Sequence, residues 1–317
     1  MKKILITGAA GFIGLHLAKK LSGYCKVDLI DNFYRAKKDD EFNKIIKKKN
    51  INFINYNLLK KLKIKKQYDY IFHLAAIVGV NNVISKPYDV LDKNFKILEN
   101  IIQFSLKQKK LKRIFFFSTS EVYAGSIKAK LIRFPTPENQ IISLPELSNK
   151  RSSYLLSKIY GEALCLHSTL PIIIIRPHNI YGPRMGYAHV IPELIKKILK
   201  KKKLIVFNPN HKRTFCFIDD LINSLIQLMN KKKSNYQVYN IGNPKEEIRI
   251  VDLAKKIMKH LDIKKKLYLK NLNNSSPTKR IPDVSRLKRE IKFNKLTKLD
   301  EGISQTINWY TKNLEHL

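Results

Sequence analysis

Along the first half of the chain, short apolar runs alternate with stretches of helical periodicity. Strand-like runs fall at residues 3–7, 26–30, 52–56, 70–74, 113–118 and 171–176. Several are apolar without interruption, as in Ile114-Phe115-Phe116-Phe117, the pattern of a strand buried on both faces of a parallel sheet. Strand and helix in alternation predict right-handed βαβ units and an α/β, doubly wound parallel sheet. After about residue 177 the rhythm loosens, and Pro and Asn become more frequent. A strand-like 214–218, a helix over 220–230 and a strand over 237–241 are expected to return to the first lobe. The boundaries predicted are therefore 1–176 with 215–241 for a first lobe, and 177–214 with 242–317 for a smaller C-terminal α/β lobe. Ligands of such sheets bind at the carboxyl ends of the strands, where the smaller lobe is expected to sit.

With 317 residues and 44% hydrophobic content, the chain is long and apolar enough for two globular lobes. No apolar run approaches the roughly 18 residues of a membrane-spanning helix, so no membrane insertion is expected. Lys2-Lys3 and the apolar stretch after them resemble a signal peptide only superficially, because three glycines and Lys19-Lys20 interrupt it. Three cysteines, Cys25, Cys165 and Cys216, with no C-x-x-C, fit a reduced cytoplasmic protein with no metal site. The net charge of +37 invites a nucleic-acid reading. However, the lysine runs at 47–49, 200–203, 231–233 and 264–266 are scattered over predicted helix ends and loops. No aromatic-interleaved basic stripe accompanies them, so they read as solvated surface that would attract an anionic substrate.

Thr7-Gly8-Ala9-Ala10-Gly11-Phe12-Ile13-Gly14 lies between the first strand-like run and the first helical pattern. Glycines at 8, 11 and 14 let the backbone approach a pyrophosphate, and the following helix offers N–H groups and a positive dipole end. Asp31, followed by Asn32, ends the second strand 17 residues after Gly14. A carboxylate there accepts from the adenosine ribose and repels a 2′-phosphate, which favours NAD over NADP; Arg35 leaves room for the latter. Leu74-Ala75-Ala76 ends the fourth strand with small residues that let a cofactor lie close. His73, within that apolar run, reads as a core histidine without chemistry.

Tyr154 and Lys158 stand at i and i+4 on one helix face. This pair suits alcohol oxidation: an ammonium and a positive nicotinamide ring would both favour the phenolate, so Tyr154 takes the hydroxyl proton. Lys158 also suits the nicotinamide ribose. Ser118-Thr119-Ser120-Glu121 follows the fifth strand, so its hydroxyls project from a strand end. Thr119 is placed to bond the reacting hydroxyl, with Ser120 and Glu121 beside it.

These residues carry a resemblance. With R-P-H-N-I-Y-G-P-R at 176–184, R-T-F-C-F-I-D-D at 213–220, N-I-G-N-P at 240–244 and R-I-P-D at 280–283, the chain resembles the extended short-chain dehydrogenase/reductases, specifically the NAD-dependent nucleotide-sugar epimerases, dehydratases and decarboxylases. The motifs occur in family order over nearly the whole chain. The resemblance implies a Rossmann fold, tightly bound NAD, a nucleoside-diphosphate (UDP-linked) sugar substrate, and a homodimer joined by a four-helix bundle using helices near 93–109 and 153–168. It implies that Asn179, Arg213 and Arg280 contact the substrate diphosphate, that Phe207 stacks on the base, and that His189-Val190 lies nearby. Asn57-Leu58 stands where the family often has Asp and an apolar residue near the adenine, and an amide can still accept there. A role in surface polysaccharide biosynthesis follows by analogy.

Three outcomes follow a shared oxidation at the sugar's 4-position. Ser120, in place of the Asp of an Asp-Glu pair, argues against 4,6-dehydration. Thr119-Ser120-Glu121 resembles the decarboxylase pattern, with Arg213 as proton donor or carboxylate contact, although S-x-E occurs in the epimerases as well. Ser152-Ser153-Tyr154 looks more like the epimerases, and epimerisation is the leading expectation, UDP-glucuronate decarboxylation the alternative. A non-catalytic relative binding NAD or RNA is opposed by the intact Thr119, Tyr154 and Lys158.

Overall fold

The computed structural model describes residues 1–144, 146–200, 203–234, 236–272 and 278–313. In chain order its elements are β1 (Lys3–Thr7), α1 (Phe12–Leu21), β2 (Lys26–Asp31), α2 (Asp40–Ile46), β3 (Ile51–Asn55), β4 (Tyr70–His73), α3 (Val80–Ser85), α4 (Pro87–Leu106), β5 (Arg113–Phe117), α5 (Ala124–Lys128), α6 (Ser152–His167) and β6 (Ile172–Pro177). They continue with β7 (Ile180–Tyr181), α7 (Val190–Leu199), β8 (Leu204–Phe207), β9 (Lys212–Arg213), β10 (Cys216–Phe217), α8 (Ile218–Asn230), β11 (Val238–Ile241), β12 (Ile248–Arg249), α9 (Ile250–His260), β13 (Leu267–Lys270), α10 (Ser285–Glu290) and α11 (Leu299–Lys312). Lys201 and Lys202 of one lysine run, and 314–317 of the predicted second lobe, lie outside the described residues. Among the described residues, no helix is long and apolar enough to cross a membrane.

Seven strands form one sheet in the order β11-β6-β5-β4-β1-β2-β3. The first strand sits between the second and fourth, with Ile4 opposite both Val27 and Tyr70, and the pairings run parallel. At the far edge, Ile174 N donates to Gln237 O and His178 N to Ile241 O, so β11 runs the same way as β6. Helices between the strands make this the doubly wound Rossmann-type α/β sheet that the alternation predicts. The uninterrupted apolar run of β5 is buried at every position, and Phe115 stacks on Phe72 with ring centroids 4.5 Å apart. Both faces of the central strands are therefore covered, which is why they read as continuous apolar runs rather than alternating ones.

The chain groups into two compact units: Met1–Val122 with Leu144–Arg176 and Leu225–Tyr239, and Tyr123–Ser143 with Pro177–Ser224 and Asn240–Leu317. This grouping places 123–143 and 215–224 in the second unit, where the strand rhythm puts them in the first. The expected strand at 214–218 is only the two residues of β10, and it pairs with β7 instead of joining the main sheet. The cause is local: the chain turns directly into α8 at Ile218, whose first turn carries Asp219 and Asp220, acidic residues that suit a helix N-terminus. Three two-stranded ribbons, β10–β7, β12–β9 and β13–β8, and the amphipathic helices α7, α9 and α11 build the second unit. The helix expected near 93 begins earlier, because Pro87 opens α4 at its first turn, where its missing N–H costs nothing.

Phe115 has no exposed surface and a stacked partner. Replacing it with Ala is expected to destabilise the protein by about 3–5 kcal/mol, read as a lower urea midpoint with an unchanged slope. A loss below about 1 kcal/mol would show that the centre of the sheet is not tightly packed.

Candidate active site

The glycine loop is shaped by backbone crowding. Gly8 has φ +69°, a conformation L side chains rarely adopt, and a Cβ there would lie 2.7 Å from Ala75 N. A Cβ on Gly14, in the first turn of α1, would lie 2.4 Å from Gly8 O. The loop between β1 and α1 thus packs directly on the backbone that leaves β4, where Leu74 N donates to Thr7 O and Ala75 N to Thr7 Oγ1. Gly11 is the N-cap of α1, with no side-chain cap, and Phe12 and Ile13 follow it; the first turn carries no acidic residue. The start of α1 is left suited to an anion. Asp31 accepts from Ala10 N at 2.9 Å through one carboxylate oxygen and from Phe33 N at 2.8 Å through the other. It thereby fixes the glycine loop to the end of β2.

Asn32 Oδ1 accepts from Tyr34 N, and Asn57 Oδ1 from Leu59 N, each in a local turn. Leu58 is buried and its carbonyl accepts from Asn100. The first unit therefore brings Gly8, Gly11, Gly14 and Asp31 together with Leu74, Ala75 and Ala76. The residues fit NAD: the crowding excludes a side chain at Gly8 and Gly14, the α1 start can take a pyrophosphate, and Asp31 can take a ribose hydroxyl.

Thr119 and Tyr154 are hydrogen-bonded, and Glu121 lies close enough to act on the phenol electrostatically. Glu121 N donates to Thr119 Oγ1 at 3.2 Å in the single turn Ser120–Tyr123, which holds Ser120 buried. Burial, and then Glu121, raise the Tyr154 phenol well above its ordinary range, against the lowering effects of Thr119 and Arg35. Lys158 Nζ lies 5.9 Å from the Tyr154 ring centre and donates to Phe117 O at 2.7 Å. Burial pulls the Lys158 ammonium down to about 8, which Cys165 and Glu162 offset only in part. The pair is adjacent, as its spacing requires, yet the protein's own groups hold Tyr154 as a phenol. A positive ring bound beside Tyr154 would add to Arg35 in favouring the phenolate.

His73 is buried and bonded to Thr7 Oγ1 at 2.8 Å. Burial, then Lys158, lower it to about 3, so it stays neutral in the core.

In the second unit, Asn179 stands at φ +44° between β6 and β7, and its Nδ2 donates to Thr214 O at 2.9 Å. Arg213 on β9 donates to Thr278 O at 3.2 Å, and Lys212 N donates to the same carbonyl. These bonds bring the Asn179, Arg213 and Arg280 segments together. His211, which the motif reading misses, lies within the field of both arginines: burial first, then Arg213 and Arg280, lower it. Its signal in the sequence is only a histidine two residues before the arginine motif. Phe207 ends β8 at 38% exposure, one tight turn before His211, with Lys197 Nζ 5.2 Å from its ring centre. His189 is the N-cap of α7, and Val190 its first residue.

A family model for the NAD dependent epimerase/dehydratase family matches residues 4–242, so the chain belongs to that family of NAD-dependent enzymes acting on nucleotide sugars. It is 34% identical to the UDP-N-acetyl-alpha-D-glucosaminuronate decarboxylase of Bacillus cytotoxicus, over 98% of both chains. It is 29% identical to UDP-glucuronic acid decarboxylase 1 of Xenopus tropicalis, over 99% of this chain and 73% of that one. Among solved structures it resembles UDP-glucuronic acid 4-epimerase of Bacillus cereus, in complex with UDP-glucuronic acid and NAD, at 27% identity and TM-score 0.85, over 98% of this chain and 99% of that one.

Gly14→Ala places a methyl group against a backbone oxygen that cannot move without displacing Ala75. Protein carrying it is expected to release less than about a tenth as much NAD on denaturation as the wild type, a loss of over about 1.4 kcal/mol in binding. Full NAD content would show that the cofactor does not lie on the glycine loop.

Proposed function

We propose that the chain oxidises C4 of a UDP-linked hexuronic acid and then removes its carboxylate as CO2. The observation that carries this is the 34% identity, end to end, with a uronate decarboxylase. The geometry of the Thr119-Ser120-Glu121 turn agrees with it. Ser120 provides no second carboxylate for dehydration.

In this reading residues 1–176 with 215–241 hold the cofactor, and 177–214 with 242–317 hold the nucleotide sugar. Gly8, Gly11, Phe12, Ile13 and Gly14 cradle the pyrophosphate, Asp31 and Asn32 the adenosine ribose, and Asn57 and Leu58 the adenine. Leu74, Ala75 and Ala76 give the cofactor room, and Lys158 bonds its second ribose. Thr119 positions the sugar's 4-hydroxyl and Tyr154 takes its proton. Bound NAD supplies the acceptor for the two electrons and hydrogen that leave C4. The carboxylate on C5 is then β to a ketone. Its bond to C5 breaks, the electron pair passes into the ketone as an enolate, and CO2 departs; protonation of C5 and return of the hydrogen to C4 would complete the cycle and restore the oxidised cofactor. Asn179, Arg213 and Arg280 hold the diphosphate, for which paired guanidinium groups are well suited. Phe207 stacks on the base, beside His189 and Val190.

Epimerisation is the second reading, which the Bacillus cereus structure favours. It needs the same oxidation and a return of hydrogen to the opposite face, with the carboxylate retained.

The four-helix homodimer falls on α4 and α6. Tyr88, Leu91 and Tyr160 are 76%, 38% and 48% exposed, and with Phe95 they line one groove across the two helices. Two copies of this face make an apolar four-helix contact of the kind a soluble monomer seldom exposes. Leu91→Glu is expected to halve the mass measured by light scattering, and an unchanged dimer mass would place the interface elsewhere.

The reaction is tested by incubation with UDP-glucuronate and its 2-acetamido counterpart, followed by NMR of the products. A product that has lost C6 is expected from one of them, and Tyr154→Phe should slow its formation by about a hundredfold or more. A C4-inverted uronate would replace this reading with epimerisation, and no conversion of either sugar would overturn both.

A further inference from the structure

The reading just given uses Thr119, Tyr154 and Lys158 and leaves a buried charged cluster behind them unassigned. Glu162 stands one turn beyond Lys158 on the same face of α6, and Arg176 ends β6. Both side chains are 4% exposed and form a two-pronged ion pair, with Arg176 Nε to Glu162 Oε1 at 2.9 Å and Nη2 to Oε2 at 2.5 Å. Ser118 Oγ donates to the same Glu162 Oε1. The neighbouring carbonyl, Phe117 O, accepts from Lys158 Nζ. One carboxylate thus ties together α6, the end of β5 and the end of β6, at the point where β5 hands over to Thr119.

A charge pair costs desolvation in such a place, and apolar residues of similar volume would pack there at least as well. Its retention therefore calls for a role beyond packing. We propose that Glu162, clamped by Arg176 and Ser118, is a positioning residue: it fixes the approach of Thr119 to Tyr154 and supplies the negative potential that keeps Lys158 cationic. The inference rests on the assignment of Tyr154 and Lys158 to catalysis.

Among the described residues, Cys165 and Glu162 are the groups that favour the Lys158 cation. On α6 it faces Tyr154, Cys165 and Glu162. Burial, then Glu162, push the Cys165 thiol up to about 12, so it stays uncharged at neutral pH. On β4 it faces His73, which is neutral. On β5 it meets the Phe116 ring, 4.9 Å from Nζ, and the Phe117 carbonyl. Glu121 and Arg35, of opposite sign, act on Tyr154. Glu162 is therefore the carboxylate that opposes the desolvation of Lys158, and Arg176 moderates it from the far side.

The test reads the charge on Lys158 directly. Protein labelled at lysine Cε is titrated by NMR in its NAD-bound form, in which the buried Lys158 is expected to titrate below the surface lysines near 10.4. The cation exists below the midpoint, so loss of the carboxylate must move the midpoint down. Glu162→Gln is expected to lower it by about one unit or more, with the alkaline limb of kcat/KM moving by the same amount. Glu162→Met combined with Arg176→Met removes both charges and is expected to lower it by less. A role in packing alone would reduce activity without moving either midpoint. An unmoved Lys158 midpoint in folded Glu162→Gln overturns the proposal; where that variant does not fold, the paired methionine variant decides by the same criterion. Tyr154→Phe separates the two readings. If it stays fully active, the catalytic assignment itself fails. If it is inactive while Glu162→Gln titrates like wild type, only the positioning role of Glu162 fails.

Discussion

The structure depends first on two stretches of backbone that approach too closely for any side chain. The Gly8 loop lies against the chain leaving β4, and a single added carbon at Gly8 would meet Ala75 N at 2.7 Å. Because β1 sits between β2 and β4, this contact fixes the centre of the sheet and the start of α1 together. Asp31 completes the arrangement from the other neighbour, its two oxygens bonded to Ala10 and Phe33. Burial of the apolar strands supplies the free energy, while the glycines decide where a dinucleotide can lie.

The reacting groups show a second constraint, the cost of charge in a dry place. Burial disfavours the charged form of Tyr154 and of Lys158, pushing the phenol up and the ammonium down to about 8. A bare tyrosine–lysine pair at helical spacing is therefore not an active base. In the proposed reading it would become one when a positive ring is bound beside it and a buried carboxylate sustains the lysine. This couples proton abstraction to cofactor occupancy, which suits an enzyme that keeps and reuses its NAD.

Much of this was legible in the chain. The continuous apolar runs gave the strands of the main sheet to within a residue or two, because strands buried on both faces leave that pattern. The glycine spacing, Asp31, and the Tyr154 and Lys158 pair were visible because their chemistry demands fixed residue types at short range. The strand-like 214–218 shortens to the two residues of β10, since five apolar-rich residues look alike whether they pair widely or turn into a helix. The Glu162–Arg176 pair and His211 were not visible. Their meaning comes from partners far apart in sequence, and periodicity carries no information about which buried charges meet. The positive charge of the chain, +37, predicted little beyond an affinity for anions.

The central claim is that carbon 4 of the sugar is oxidised by transfer of its hydrogen to the bound cofactor. The most direct measurement uses a UDP-linked uronic acid deuterated at that carbon, with NMR of the products formed in ordinary water. The account predicts that the label stays with the nucleotide sugar or the cofactor and that none enters the solvent. Deuterium appearing in water would mean that C4 loses a proton instead, and would contradict it.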